Sequence, residues 1–246
     1  MKLIYGYCCE QGTAKQKNQD AMIFKSGTIC KTDVCVAAVC DGVGSFDGSG
    51  YASGFVAGFI GEWFDSAVND CLNAENTKRR SAKTVYEELK NSLREKLWLA
   101  HKIVSDEAAA YSFEAGTTVC AIMVVAGRFY CIYSTGDSRA YEIGRNMDRI
   151  TEDHVVTHNG KEVLSNCLGR FPGPDFKRLE SKISKNKTYM LASDGFYRRL
   201  NRAETISGFK KAKTCEAMDD AVKNIRKYTA AAGEHDDSTG IALKFI

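Results

Sequence analysis

The chain has 246 residues, 44% of them hydrophobic, and its 34 Lys and Arg against 31 Asp and Glu leave a formal charge of +3. Charges this balanced and interspersed exclude a nucleic-acid binder held by a basic face, and the apolar content is enough for one large domain with a full core. No stretch approaches the about 20 apolar residues that span a bilayer, and the first seven residues lack the apolar region and cleavage site of a signal peptide, so the reading is a soluble cytoplasmic protein without membrane or nucleic-acid partners.

Residues 2–9 and 21–26 read as strands around the polar turn 12–17. Residues 34–40 are Val, Cys and Ala only, the pattern of a strand buried on both faces. That strand stops at Asp41 and opens into Gly42-Val43-Gly44. An unpaired buried carboxylate costs several kcal/mol, so Asp41 must sit in water at the sheet edge or face a cation that offsets its desolvation. Gly42 and Gly44 permit an approach that a side chain would block. A plain strand-to-loop turn is the simpler account of one Asp-Gly.

From Tyr51 the period becomes helical, with Val56, Phe59, Ile60, Trp63, Phe64 and Val68 on one stripe. Val85, Leu89, Leu93, Leu97 and Val104 mark a second helix between polar breaks at 76–82 and 112–116. The basic cluster Lys78-Arg79-Arg80 between them reads as a solvated loop. Strands return at 117–126 and 129–135 around Gly127-Arg128, and 141–143 pairs with 148–151 around residues 144–146. Residues 154–176 read as irregular and hold both prolines. Strands near 176–183 and 188–192 precede helices from about Arg202 and from Cys215 to Thr229, and residues 238–246 close the chain as a strand. Helices packed outside a pair of antiparallel sheets, an α+β fold, satisfy this order.

The ten cysteines contain no Cys-x-x-Cys pair and do not make a zinc site, and a chain of this length needs no disulfide scaffold. They read as small buried hydrophobes in a reducing compartment, with Cys8, Cys9 and Cys40 the candidates for oxidation. His154 and His158 have the i,i+4 spacing of a zinc helix but lack its Glu, and read as structural or surface residues.

The Asp41 construction recurs. Residues 189–193 form another apolar strand that ends in Asp194-Gly195, Asp236-Asp237 precedes the closing strand, and Asp20 precedes apolar residues 21–24. Aspartates at the ends of apolar strands far apart in sequence can converge at one edge of a packed sheet. Convergent carboxylates without Cys or His suit a hard divalent ion, Mg²⁺ or Mn²⁺.

Seven short motifs now stand in order: Asn18-Gln19-Asp20-Ala21, Asp41-Gly42-Val43-Gly44, Gly116-Thr117-Thr118, Thr135-Gly136-Asp137-Ser138-Arg139, Ile150-Thr151-Glu152-Asp153-His154, Leu191-Ala192-Ser193-Asp194-Gly195 and Asp236-Asp237-Ser238-Thr239. Together they resemble the motifs of the metal-dependent PPM, or type 2C, protein Ser/Thr phosphatases, the bacterial branch in particular, over nearly the whole chain. The resemblance implies an α-β-β-α sandwich and a single catalytic domain over residues 1–246, with a shortened flap at about 154–176.

The same resemblance implies hydrolysis of phosphoserine and phosphothreonine by a water between two Mn²⁺ or Mg²⁺ ions. Asp41 would lie between both ions, with the Gly42 carbonyl on one, and Asp194 and Asp236 would complete the other. Asp236 rather than Asp237 aligns with the family's Asp. Asp20 would orient water, and Asp137 with Asp194 could take a third, weaker ion; a turn held by an Asp137–Arg139 ion pair is the alternative. Three departures stand out: Lys15 replaces the phosphate-holding Arg, Val43 replaces the His of eukaryotic members, and the flap is short. Implied partners are a phosphorylated protein and an opposing kinase, with the chain a monomer. A phosphatase of a small phosphorylated metabolite and a non-catalytic phosphoprotein-binding member are the competing readings.

Overall fold

The structure is a computed structural model and describes residues 2–73, 80–170 and 173–246. One sheet takes β1 (Leu3–Glu10), β12 (Ser238–Phe245), β11 (Thr188–Ala192), β6 (Arg139–Ile143) and β7 (Met147–Arg149) in that spatial order. The other takes β10 (Lys177–Lys182), β5 (Phe129–Thr135), β4 (Val119–Val125), β3 (Thr32–Asp41) and β2 (Asp20–Ile29). All pairings within them are antiparallel. Helices α1 (Ser49–Asn73) and α2 (Ala82–Tyr111) cover the second sheet, while α3 (Asp194–Tyr197), α4 (Arg202–Lys211) and α5 (Cys215–Ala231) lie on the first.

Three apolar layers account for this order. Alternate residues of β3 serve two of them: Cys35, Ala37 and Val39 face the opposing sheet beside Ile122, Leu191 and Ile241, while Val34, Val36, Ala38 and Cys40 face α1 and α2. A strand apolar on both faces is the residue pattern that a central position requires. The stripes on the helices behave as their periods predict, with Val56, Ile60, Trp63 and Phe64 of α1 and Val85, Leu89, Leu93, Leu97 and Val104 of α2 buried against that outer face. Each such side chain contributes about 1.5–3 kcal/mol on leaving water. Met218, Val222 and Ile225 of α5 do the same for the other sheet, over Ile4, Met190 and Ala242. The α-β-β-α sandwich read from the sequence is the fold observed.

Two local readings need correction. Residues 154–176 are not wholly irregular: β8 (Val155–His158) and β9 (Lys161–Leu164) form a hairpin that stands apart from both sheets. Its turn is Asn159-Gly160, both at positive φ, the pairing that a two-residue hairpin favours. The β4–β5 turn also sits one residue earlier than read, on Ala126-Gly127 at φ 56° and 57°. The cluster Lys78-Arg79-Arg80 lies largely outside the described residues; Arg80 pairs with Glu88 at 2.6 Å. Eight cysteines among the described residues are free thiols, six of them buried. Cys30 is disulfide-bonded, so the expectation of reduced thiols fits those eight only. No helix among the described residues is long and apolar enough to cross a membrane.

Candidate metal centre

Asp20 opens β2, Asp41 ends β3, and the two stand directly opposite each other in the antiparallel ladder. Both lie at the end of the sandwich where β11 delivers Asp194 and where residues 236–237 lead into β12. The Gly116-Thr117-Thr118 motif fixes the Asp41 backbone. Asp41 N–H donates to Thr118 Oγ1 at 3.0 Å, Thr118 N–H donates to the Asp41 carbonyl at 2.8 Å, and Thr117 Oγ1 donates to that same carbonyl at 3.0 Å. Gly42 is required by space: a Cβ there would stand 2.6 Å from the Ser49 carbonyl oxygen and 2.7 Å from that of Gln19. Gly195 is equally confined, with a Cβ 2.1 Å from the Asp237 carbonyl oxygen. Those two glycines let the Asp-bearing turns close against their neighbours.

Asp20 is buried, and its Oδ2 accepts from Ser193 Oγ at 2.8 Å while Oδ1 has no partner. Burial pushes its carboxyl up to about 6 despite the Ser193 hydrogen bond. Burial likewise lifts Asp194 to about 7, with Arg198 opposing and Asp137, Asp236 and Asp20 adding to the rise. Asp41 is raised well above the ordinary carboxylate range by burial and by Asp20, Asp194, Asp137 and Asp236. Asp137 is raised by burial as well. These carboxylates repel one another, and a shared cation would relieve them.

Asp236 and Asp237 have different surroundings. Asp237 is buried and accepts from Gly12 N–H at 2.8 Å and Gln19 N–H at 2.7 Å, so it staples the loop before β2. Asp236 stays in the cluster, with Lys15 Nζ 2.8 Å from its Oδ1. Lys15 also lies 3.6 Å from Asp237 Oδ2. The Asp137–Arg139 turn pair does not form: Arg139 binds Asp153 instead, at 2.6 Å, and lies over the Tyr197 ring at 3.9 Å. His154 is buried and His158 exposed.

The donor set is all oxygen, its negative charge is crowded, and one buried oxygen of Asp20 is orphaned, which fits hard divalent ions. No group of three or more His, Cys, Asp or Glu among the described residues is arranged to hold an ion as it stands. Lys15 and Arg198 each pair with a carboxylate of the cluster. Arg198, one helical turn after Asp194, pairs with Asp194 Oδ2 and lies 4.0 Å from Asp236 Oδ2. Sequence reading missed Arg198. The only signal was a cation at i+4 from an aspartate that opens a helix. Ser193, Thr118 and Asp153 stand within the seven motifs, but their roles as hydrogen-bonding partners depend on contacts across the fold.

The sequence matches the protein phosphatase 2C family over residues 11–231. The chain therefore belongs to this family of protein serine/threonine phosphatases. Solved structures share its fold. A serine/threonine phosphatase of S. agalactiae is similar at a TM-score of 0.79 and 15% identity, covering 100% of both chains. Stp1 of Staphylococcus aureus is similar at 0.77 and 19% identity, over 100% of this chain and 96% of that one. MsPP of Mycobacterium smegmatis, a PPM Ser-Thr phosphatase solved with cacodylate, is similar at 0.74 and 19% identity, over 98% of each. Comparison with curated protein sequences gave no match.

Proposed function

We propose that the chain hydrolyses phosphoserine and phosphothreonine esters in proteins with the help of two Mn²⁺ or Mg²⁺ ions. The observation that carries this is the crowding of Asp20, Asp41, Asp137 and Asp194 with their carboxyls raised, beside Asp236. Divalent ions in such a cluster supply charge neutralisation and an acidified water, the two needs of a reaction whose difficulty is charge.

Asp41, the Gly42 carbonyl, Asp194 and Asp236 are the groups that would hold the two ions. Asp20, tied to Ser193, orients water from the side of the cluster. Asp137 with Asp194 would hold a third, weaker ion. Lys15 draws the phosphate towards the cluster, and Val43 leaves no side-chain acid at the position where eukaryotic relatives carry His. On this reading the partners are a phosphorylated protein and the Ser/Thr kinase that modifies it, the chain works as a monomer in the cytoplasm, and residues 1–246 form one catalytic domain whose short flap is built on the β8–β9 hairpin. One observation favours a second, non-catalytic reading: Lys15 and Arg198 already pair with Asp236 and Asp194.

Titration of Mn²⁺ and Mg²⁺ against hydrolysis of a phosphothreonine peptide, with an aryl phosphate and a sugar phosphate alongside, tests the reading. Metal-dependent release of phosphate from the peptide supports it. Turnover of the small esters alone moves the substrate class to metabolites, and no turnover of any of the three favours the phosphoprotein-binding reading.

A further inference from the structure

Lys15 leaves the site short of geometry. An ammonium is a compact point charge on a flexible stem, whereas a guanidinium presents a planar fork that fixes two phosphate oxygens at once. Two adjacent arginines follow Asp194, and they diverge. Arg199 is turned away, with Nη1 donating to the Ala232 carbonyl at 3.2 Å and Nε 3.7 Å from Glu234. Arg198 is turned into the cluster by the short helix α3, whose backbone bond from Arg198 N–H to the Asp194 carbonyl, 3.0 Å, sets the two side chains on one face.

The result is a carboxylate bracketed by two cations from opposite ends of the sequence. Asp236 Oδ1 takes Lys15 at 2.8 Å, and its Oδ2 faces Arg198 Nη1 at 4.0 Å. Arg198 Nη2 pairs with Asp194 Oδ2, and no other side-chain hydrogen bond of Arg198 occurs among the described residues. Its side chain is 51% exposed, against 23% for Lys15. A guanidinium has five N–H donors, so several remain to face a ligand at the mouth of the site.

We propose that Arg198 is the phosphate-orienting arginine of this chain, working as a pair with Lys15 and presented from the start of α3. The proposal rests on the phosphatase reading above. Asp194 holds Arg198 by one oxygen and keeps the guanidinium beside the cluster; Lys15 supplies attraction from the other side. A phosphomonoester then meets one directional and one non-directional cation.

The test uses the full chain loaded with Mn²⁺, as wild type, Arg198→Ala, Arg198→Lys and Lys15→Ala. Calorimetry measures the affinity for inorganic phosphate and, separately, for Mn²⁺ on the metal-free proteins; steady-state kinetics on a phosphothreonine peptide give KM and kcat. Arg198→Ala is expected to weaken phosphate and raise KM on the order of tenfold, the size of one charge-assisted hydrogen bond, with a smaller effect on kcat. Arg198→Lys recovers part of the loss, and Mn²⁺ affinity in Arg198→Ala is equal or tighter because a competing cation has gone. Unchanged phosphate affinity in Arg198→Ala overturns the proposal. So does a fall in Mn²⁺ affinity that accounts for the whole loss, since Arg198 would then only position Asp194. If wild type binds phosphate through Arg198 yet does not turn over the peptide, the phosphatase reading fails while this assignment stands.

Discussion

Asp20 and Asp41 occupy facing positions of the β2–β3 ladder, with Ala21 opposite Cys40 as the next pair. Like charges directly opposite in an antiparallel pair are destabilising, and in the metal-free fold both carboxyls are held above the ordinary carboxylate range. The arrangement costs the metal-free protein stability, a cost that the proposed ions would offset.

Neutralising Asp41 should separate those two effects. Asp41→Asn is expected to lower phosphatase activity and Mn²⁺ affinity by on the order of a hundredfold or more, since loss of an outer partner alone costs roughly 10- to 100-fold. The metal-free variant should melt at the same temperature as wild type or higher, because one repelling charge is removed. Scanning calorimetry in chelator together with a Mn²⁺ titration checks both. Near-normal turnover in Asp41→Asn, or in Asp194→Asn, would remove the two-ion mechanism.

The pH dependence of the metal-free protein follows from the same crowding. Burial raises Asp20 from 3.8 to about 6 and Asp194 from 3.8 to about 7 in the fold. The folded state then holds more protons than the unfolded chain between those values, so stability is greatest at low pH within that window and declines as pH rises through it. Urea unfolding in chelator should show a higher midpoint at about pH 5 than at about pH 8, and saturating Mn²⁺ should abolish the difference. A midpoint that rises with pH in chelator would show that the carboxylates are already compensated by Lys15 and Arg198.

Thiol modification should leave turnover intact while chelation stops it. Burial pushes Cys8 up to about 12, raises Cys40 still further and raises Cys9, whose sulfur receives hydrogen bonds from Asn18 and Thr239. Thiols so protonated are poor nucleophiles at neutral pH. Activity assays after iodoacetamide and after chelator decide it, and stoichiometric inactivation by a single alkylation would point to a covalent thiol mechanism.

Ser193 holds the cluster together from beneath, donating to Asp20 Oδ2 at 2.8 Å and accepting from Thr239 N–H at 2.9 Å. Ser193→Ala leaves a buried N–H and a second carboxylate oxygen unpaired, which costs about 1–3 kcal/mol. Chemical denaturation should show that loss at neutral pH, with Ser193→Thr less affected if its methyl is accommodated. A shift below about 0.5 kcal/mol would mean that Asp20 finds another donor.

Lys15→Ala should raise KM for a phosphopeptide by roughly five- to thirtyfold, about 1–2 kcal/mol, with a smaller effect on kcat. Lys15→Arg should lower KM. Its position 2.8 Å from Asp236 places the ammonium at the cluster rather than in the solvated turn. Steady-state kinetics at saturating Mn²⁺ measure both variants, and an unchanged KM in Lys15→Ala would confine Lys15 to pairing with Asp236.

The sequence by itself determined the sandwich and the carboxylates. Residues 34–40 are apolar on both faces, which admits only a central strand, and the two helical stripes name the residues that cover it. An acid at the end of such a strand is chemically conspicuous, so Asp41 and Asp194 are legible in the residues themselves, whereas the choice of Asp236 over Asp237 rests on the family resemblance. Asn159-Gly160 carried its hairpin in the sequence too, and the reading of 154–176 as irregular passed over it. Tertiary structure alone decided the pairings. Nothing in the chain says that Arg139 takes Asp153 rather than Asp137, that Asp237 staples the loop before β2, or that Arg198 and not Arg199 faces the cluster. Those choices depend on which charges the strand register and the turn of α3 bring within reach, and Coulomb energy falls off over distances that sequence spacing does not encode.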